Sequence, residues 1–219
     1  MWQDVSWVQG IIFDCDGVLI DSQEANIRFY SLILENMGLP EMDAQDIAYV
    51  HMHTVHESIA RIVPNSRLSE AKDMARKISY RKVLDWVRPQ PGLLQFLNLL
   101  QGAGICCAVN TNRTSTLPLV LERFDLDHYF HPLVSASDVT WPKPHPESVY
   151  WVLRTWDMSP EDVAFIGDSA VDQYTAEAAG VSFWAYANPL LEADRHISDF
   201  WSLQQNFRWQ QPHCQEKIL

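Results

Sequence analysis

Two short apolar runs, far apart in the chain, each end in aspartates followed by a tight turn. The first is Ile11-Ile12-Phe13-Asp14-Cys15-Asp16-Gly17, and the second is Val163-Ala164-Phe165-Ile166-Gly167-Asp168-Ser169-Ala170-Val171-Asp172. In an open α/β sheet, ligands bind outside the carboxyl ends of the strands. Two such strands side by side bring four carboxylates to one small volume. Like charges crowd there only around a cation, so a hard divalent ion such as Mg²⁺ is implied.

The rest of the chain has the periodicity such a sheet needs. Val8 to Phe13 reads as a buried strand. Residues 23–37 are helical, with Ala25, Phe29, Leu32, Ile33 and Met37 on one face and Gly38 and Pro40 as the stop. Asp43 opens a second helix through about Val63, and Ser69 a third through about Val87. Residues 21–88 therefore hold helices and no strand. After Pro89 and Pro91 the pattern alternates: helix 92–101, strand 105–109, helix 115–124, a strand near Leu133, helix 146–156, strand 163–166, helix 170–179, strand 181–186 and a short strand at His196. Alternation of this kind means a doubly wound parallel sheet with helices on both faces. The expected division is an α/β core of residues 1–20 and 89–219, with a helical insertion of residues 21–88. Trp201, Phe207 and Trp209 in the Gln-rich tail are expected to dock on the core.

Composition excludes several classes of function. The formal charge of −12 leaves no basic face for general nucleic-acid binding. A phosphorylated ligand stays compatible, because a metal and one placed lysine reverse the local field. The cysteines, Cys15, Cys106, Cys107 and Cys214, show neither a disulfide framework nor zinc spacing, as expected for a reducing cytoplasm. The amino-terminal residues lack a basic leader, and no apolar stretch reaches about 18 residues, so neither secretion nor a membrane span is expected.

Four motifs carry chemistry. Asp14 and Asp16, two apart at a strand-to-loop turn, can face one ligand and divide the work of nucleophile and general acid/base; solvated turn aspartates are the plainer alternative. Gly17 lets the backbone approach a ligand closely. At Thr111-Asn112-Arg113, a hydroxyl and free N–H groups at a helix start make a small anion site, though a simple helix cap accounts for Thr111 or Thr114 equally well. Arg113 is either a substrate contact or a surface arginine without a role. Lys143, between Pro142 and Pro144 in a stiff loop before a helix, reads as a placed charge. Asp168 and Asp172, one helical turn apart, can face the same ion or simply cap a helix.

Together, Asp14-x-Asp16-Gly17-Val18, Thr111-Asn112, Lys143-Pro144-x-Pro146 and Gly167-Asp168-x-x-x-Asp172 resemble the motif set of the haloacid dehalogenase superfamily, over nearly the whole chain. The resemblance implies a Rossmann-like core with an α-helical cap. It implies Asp14 as the nucleophile that takes a phosphoryl group and Asp16 as the acid that protonates the leaving oxygen and later activates water. It implies Thr111 and Asn112 as phosphate holders and Lys143 as the partner of Asp14. Mg²⁺ would be bound by Asp14, the Asp16 carbonyl and Asp168, with Asp172 close behind. Members that cleave carbon–halogen bonds lack the second aspartate, so Asp16 favours phosphate chemistry. The insertion looks like the cap of phosphoglycolate phosphatase-like and β-phosphoglucomutase-like members.

The expected activity is a Mg²⁺-dependent phosphatase acting on a small phosphorylated metabolite, phosphoglycolate or a sugar phosphate, through an aspartyl-phosphate. A phosphomutase uses the same residues, and a non-catalytic phospho-ligand binding protein would share the fold. In the insertion, Arg61 and Arg81 are candidates for a second anionic group of the substrate, although a solvated helix face explains them more simply. His51, His53 and His56 form a local cluster whose role the sequence leaves open, as it does the oligomeric state.

Overall fold

The computed structural model describes residues 3–52 and 55–208. The strands are β1 (Gln3–Asp4), β2 (Gly10–Phe13), β3 (Ile20–Asp21), β4 (Arg88–Pro89), β5 (Cys106–Thr111), β6 (Leu133–Ser135), β7 (Val163–Gly167), β8 (Ser182–Tyr186), β9 (Arg195–Ile197) and β10 (Phe207–Arg208). The helices are α1 (Gln23–Met37), α2 (Ala44–Met52), α3 (Val55–Ile62), α4 (Leu68–Lys77), α5 (Leu93–Gly102), α6 (Leu117–Arg123), α7 (Glu147–Trp156), α8 (Ala170–Ala179) and α9 (Phe200–Asn206). The chain divides into two compact units, Met1–Leu19 with Pro89–Leu219, and Ile20–Arg88.

The larger unit is built on a six-stranded sheet in the order β6-β5-β2-β7-β8-β9, with every neighbouring pair parallel. Numbered along the chain within the sheet, that order is 3-2-1-4-5-6. The strand order reverses beside β2, so the crevice at the carboxyl ends of β2, β5 and β7 is where this topology binds ligands. Residues 10–13 are buried on both sides, as a central parallel strand requires.

Side-chain alternation assigns two apolar layers. On one face Ile12, Ala108, Val134, Phe165 and Phe183 pack with Val149, Val152 and Ala176 of α7 and α8. On the other, Phe13 meets Phe96 of α5 at 6.3 Å, Phe130 at 5.7 Å and Phe200 of α9 at 6.4 Å between ring centroids. The tail docks by Phe200 and Leu203, both fully buried, rather than by Trp201, which is 45% exposed. Their three-residue spacing puts them on one face of α9, and Trp201 falls outside it. The backbone of β10 pairs in parallel with β1; Trp209 lies outside the described residues.

The smaller unit is helical. Tyr30, Ile33, Leu34 and Met37 of α1 pack with Val50, Ile59, Val63 and Ala71 in its own core. Phe29 and Leu32, expected on the buried face, are only half-buried. The helix expected to run to Val87 ends at Lys77: Ile78 is extended, and 3-10 turns follow at Tyr80–Lys82 and Leu84–Trp86. Continuing the helix would stack Lys77 on Arg81 through the weak helix formers Ile78 and Ser79. The insertion is not free of strands, since β3 and β4 pair as a two-residue ribbon at its ends. Among the described residues no helix is long and apolar enough to cross a membrane.

Phe13 is fully buried on the central strand, one residue before Asp14. Phe13→Ala is expected to cost about 3–5 kcal/mol through lost burial and a cavity. Urea unfolding followed by far-UV circular dichroism measures it; a loss under about 1 kcal/mol would mean that the aromatic layer is not closely packed.

Candidate active site

The parallel register decides which residues meet. Phe13 is level with Val109 on β5 and with Ile166 on β7. The Asp14 N–H donates to the Ile166 carbonyl at 2.9 Å, so the chain is still tied to β7 as it leaves the sheet. Asp14, Asp168 and the end of β5 are thereby delivered to one edge.

Lys143 reaches that edge from the loop between β6 and α7. Its Nζ donates to Asp14 Oδ1 at 2.8 Å and to Asp172 Oδ1 at 2.6 Å. All three residues are buried, Asp172 completely. The loop is held from two sides. The Asn112 side-chain amide donates to the Lys143 carbonyl at 3.1 Å. Glu147, at the start of α7, accepts from the N–H groups of Thr140 and Trp141.

Asp172 uses its other oxygen locally. Ser169 Oγ donates to Asp172 Oδ2 at 2.6 Å and the Ser169 N–H does so at 3.2 Å, while the Asp172 N–H returns to Ser169 Oγ. This capping box starts α8 and also orients the carboxylate toward Lys143. The capped-helix reading of this motif is therefore realised, and the same side chain also reaches Lys143.

Asp14, Asp168 and Asp172 each present an oxygen within 4.8 Å of the others. Two glycines make room for them. A Cβ on Gly17, whose φ is +78°, would lie 2.0 Å from Asp168 Oδ2; a Cβ on Gly167 would lie 2.3 Å from Asp172 Cβ. Asn188 steadies the loop after β7, its amide donating to the Asp168 carbonyl at 2.8 Å. As an Asn-Pro pair after a strand, it reads in sequence only as a turn.

The electrostatics are short of positive charge. Burial works against the Lys143 ammonium, but Asp14 and Asp172 outweigh it and keep it charged. Burial raises the Asp14 carboxyl well above the ordinary range; Lys143 opposes the rise, and Asp172, Asp168 and Asp16 add to it. Burial, with Asp172 beside it, pushes the Asp168 carboxyl up to about 7. One lysine does not neutralise this group of acids. The donors are carboxylate oxygens, the set a hard cation such as Mg²⁺ takes, so the residues fit the ion.

Arg113 is neither an idle surface group nor open toward solvent. Its Nε donates to Asp16 Oδ2 and its Nη2 to Asp16 Oδ1, both at 2.6 Å, and its Nη1 donates to Thr116 Oγ1 at 3.2 Å. The Arg113 N–H donates to Thr111 Oγ1 at 3.1 Å. These partners are 97 residues apart in the chain, and no local pattern announces the pair. Of the candidates in the helical unit, Arg61 pairs with Asp46 at 3.0 Å and lies over the Tyr49 ring. His56 is exposed; His53 lies outside the described residues, and only the backbone of His51 is within them.

A family model described as haloacid dehalogenase-like hydrolase matches residues 11–186. A crystal structure of a HAD-superfamily hydrolase, subfamily IA, variant 1, from Geobacter sulfurreducens is 35% identical, with a TM-score of 0.82 over 90% of this chain and 98% of that one. The phosphoglycolate phosphatase of Nitrosospira multiformis is 27% identical over 183 residues, 79% of this chain and 80% of its own length. That of Aquifex aeolicus is 25% identical over 195 residues, 87% and 90% of the two chains.

A carboxyl raised on folding favours the folded chain below its ordinary pKa of 3.8, and that advantage is lost as pH climbs through about 7. Metal-free protein is therefore expected to lose stability relative to Asp168→Asn between pH 5 and pH 8, by this group's contribution. Excess Mg²⁺ is expected to raise the melting temperature by roughly 5 °C at pH 8 and by less at pH 5.5, where protons compete for the same oxygens. Thermal-shift curves of both proteins measure this; an equal Mg²⁺ effect on Asp168→Asn would remove Asp168 from the ion's ligands.

Proposed function

The chain belongs to the haloacid dehalogenase-like hydrolase family, and from that premise we propose a phosphatase that works through an aspartyl-phosphate on a small phosphorylated metabolite. The observation that carries the reading is a buried carboxylate, Asp14, held at 2.8 Å by a buried lysine beside two further acids. Phosphoryl transfer asks a protein for an in-line nucleophile and concentrated positive charge, and little else. The names of the relatives favour the phosphomonoesterase reading over carbon–halogen cleavage, and Asp16 supports the same choice.

In this reading Asp14 attacks phosphorus. The bond to the leaving oxygen breaks, its electron pair stays on that oxygen, and the Asp16 carboxyl supplies the proton. Asp16 then takes a proton from the water that attacks the aspartyl-phosphate, which frees inorganic phosphate and regenerates Asp14. Lys143 steadies Asp14 and the transferring oxygens. Thr111 and the Asn112 N–H hold the remaining phosphate oxygens at the end of β5. Mg²⁺ would be held by Asp14, Asp168 and the Asp16 carbonyl, and would supply the positive charge that the site lacks. Asp172, with one oxygen on Lys143 and the other on Ser169, stands behind these ligands.

The helical unit, residues 20–88, is assigned the selection of substrate. Phosphoglycolate and sugar phosphates are the leading classes, the first because relatives bear that name. The core supplies chemistry common to all substrates, so Lys143→Ala is expected to lower kcat/KM for every ester.

Asp14→Asn keeps the shape and removes the attacking charge. Turnover is expected to fall by several orders of magnitude with the fold intact. Phosphate release over a panel of phosphorylated metabolites, with and without EDTA, measures both activity and metal dependence. Isomerised sugar phosphate without phosphate release would mark a mutase, and a silent panel a binding protein. Asp14→Asn with more than a few per cent of wild-type turnover would end the covalent role.

A further inference from the structure

We propose that Arg113 is a positioning residue for the acid/base Asp16, an inference that rests on the phosphatase reading above. The guanidinium meets the carboxylate edge to edge, with two N–H donors on two oxygens at 2.6 Å. A fork of this kind fixes the plane of the carboxylate as well as its distance, which a lysine cannot do. Arg113 is itself fixed. Its Nη1 is bonded to Thr116 Oγ1, its N–H to Thr111 Oγ1, and its carbonyl accepts from the Ala136 N–H. The acid/base is thereby tied to the end of β5 that carries Thr111.

Two alternatives fit less well. As a stabilising ion pair, the contact is poorly sited. The Asp16 side chain is 36% exposed and its charge is screened by water, so even a bidentate pair returns little for burying the Arg113 side chain, which is 8% exposed. As a reader of a second anionic group on the substrate, Arg113 is poorly placed, because one N–H on each of Nε, Nη1 and Nη2 is already on a protein oxygen and the fork faces Asp16. Orientation of Asp16 is the role that uses both the burial and the fork. The fork uses one lone pair of each oxygen and leaves the other to carry the transferred proton, which must come within about 2.6–3.2 Å of the accepting oxygen, so an unfixed carboxyl delivers it less often.

The role predicts a dependence on the leaving group. Esters of p-nitrophenol expel a stable anion and need no acid, whereas esters of aliphatic alcohols need one. Arg113→Gln is expected to lower kcat/KM for an aliphatic phosphate about 10- to 100-fold, part of the usual contribution of general acid catalysis, and to leave p-nitrophenyl phosphate within about threefold. Arg113→Lys is expected to show the same selective loss, and it carries the test if the glutamine variant does not fold. In an Asp16→Asn background, Arg113→Gln is expected to do no further harm. The Mg²⁺ concentration for half activation is expected to stay unchanged, which separates positioning from a general disturbance of the site. Equal losses on both ester classes, no loss on either, full recovery by lysine, or additive losses with Asp16→Asn would overturn the role of Arg113 alone. Asp16→Asn without leaving-group selectivity would overturn the acid/base assignment, and the Arg113 role with it.

Discussion

Everything at this site depends on one buried ammonium. Lys143 Nζ lies between Asp14 and Asp172, at 2.8 and 2.6 Å, with its side chain 3% exposed. Taking a lysine out of water costs several kcal/mol unless its charge is answered, and removing one partner of such a group typically costs about 3–5 kcal/mol. The three groups come from segments that share no local sequence: Asp14 follows β2, Asp172 lies in the first turn of α8 after β7, and Lys143 precedes α7. The contact exists only when β2 and β7 are neighbours in register and the Lys143 loop lies over their ends. The same contact is therefore a mark of correct topology and the centre of the proposed chemistry.

Close approach of backbone to carboxylate is the second constraint. Gly17 and Gly167 each sit where a methyl group would lie within 2.3 Å of an acidic side chain. Their absent side chains are the space in which the acids converge. The neighbouring side chains are fixed in turn: Asp172 by Ser169, the Lys143 loop by Asn112 and Glu147, and the Asp168 backbone by Asn188. Precision in such a site comes from supporting contacts as much as from the reacting groups.

The sheet was legible because its strands are apolar on both faces and separated by helices of regular period. Val163–Gly167 could hardly be anything but an interior strand, and the aspartate after it had to fall at the carboxyl edge. The helical unit was less legible. Its apolar residues do not decide between adjacent faces of a helix, so Leu32 was favoured where Leu34 is buried. Periodicity alone would extend the helix that ends at Lys77, while Ile78 and Ser79 and the stacking of Lys77 on Arg81 oppose it. The Arg113–Asp16 pair was out of reach for a different reason. Arg113 follows Thr111-Asn112 as any surface arginine follows a strand, and only tertiary structure brings a partner from 97 residues away. Contacts set by topology leave residue types in the sequence, but not their pairing.

The charge of the whole chain sharpens the point. At −12, the protein repels the phosphate dianion that the proposed reaction requires. Within the site, Asp14 and Asp172 pair with Lys143 and Asp16 pairs with Arg113, so these four acids, Asp168 included, exceed the two cations by two charges when all are ionised. Burial, and the other acids beside them, raise the Asp14 and Asp168 carboxyls, so both gain from any further positive charge placed among them. A divalent ion bound among these oxygens would offset that deficit. With such an ion in place Asp14 would stay ionised, as the proposed attack requires. In a chain this acidic, a cation held by these carboxylates would meet two needs of the proposed reaction: an edge of the sheet attractive to a phosphate, and an Asp14 that is charged when the phosphate arrives.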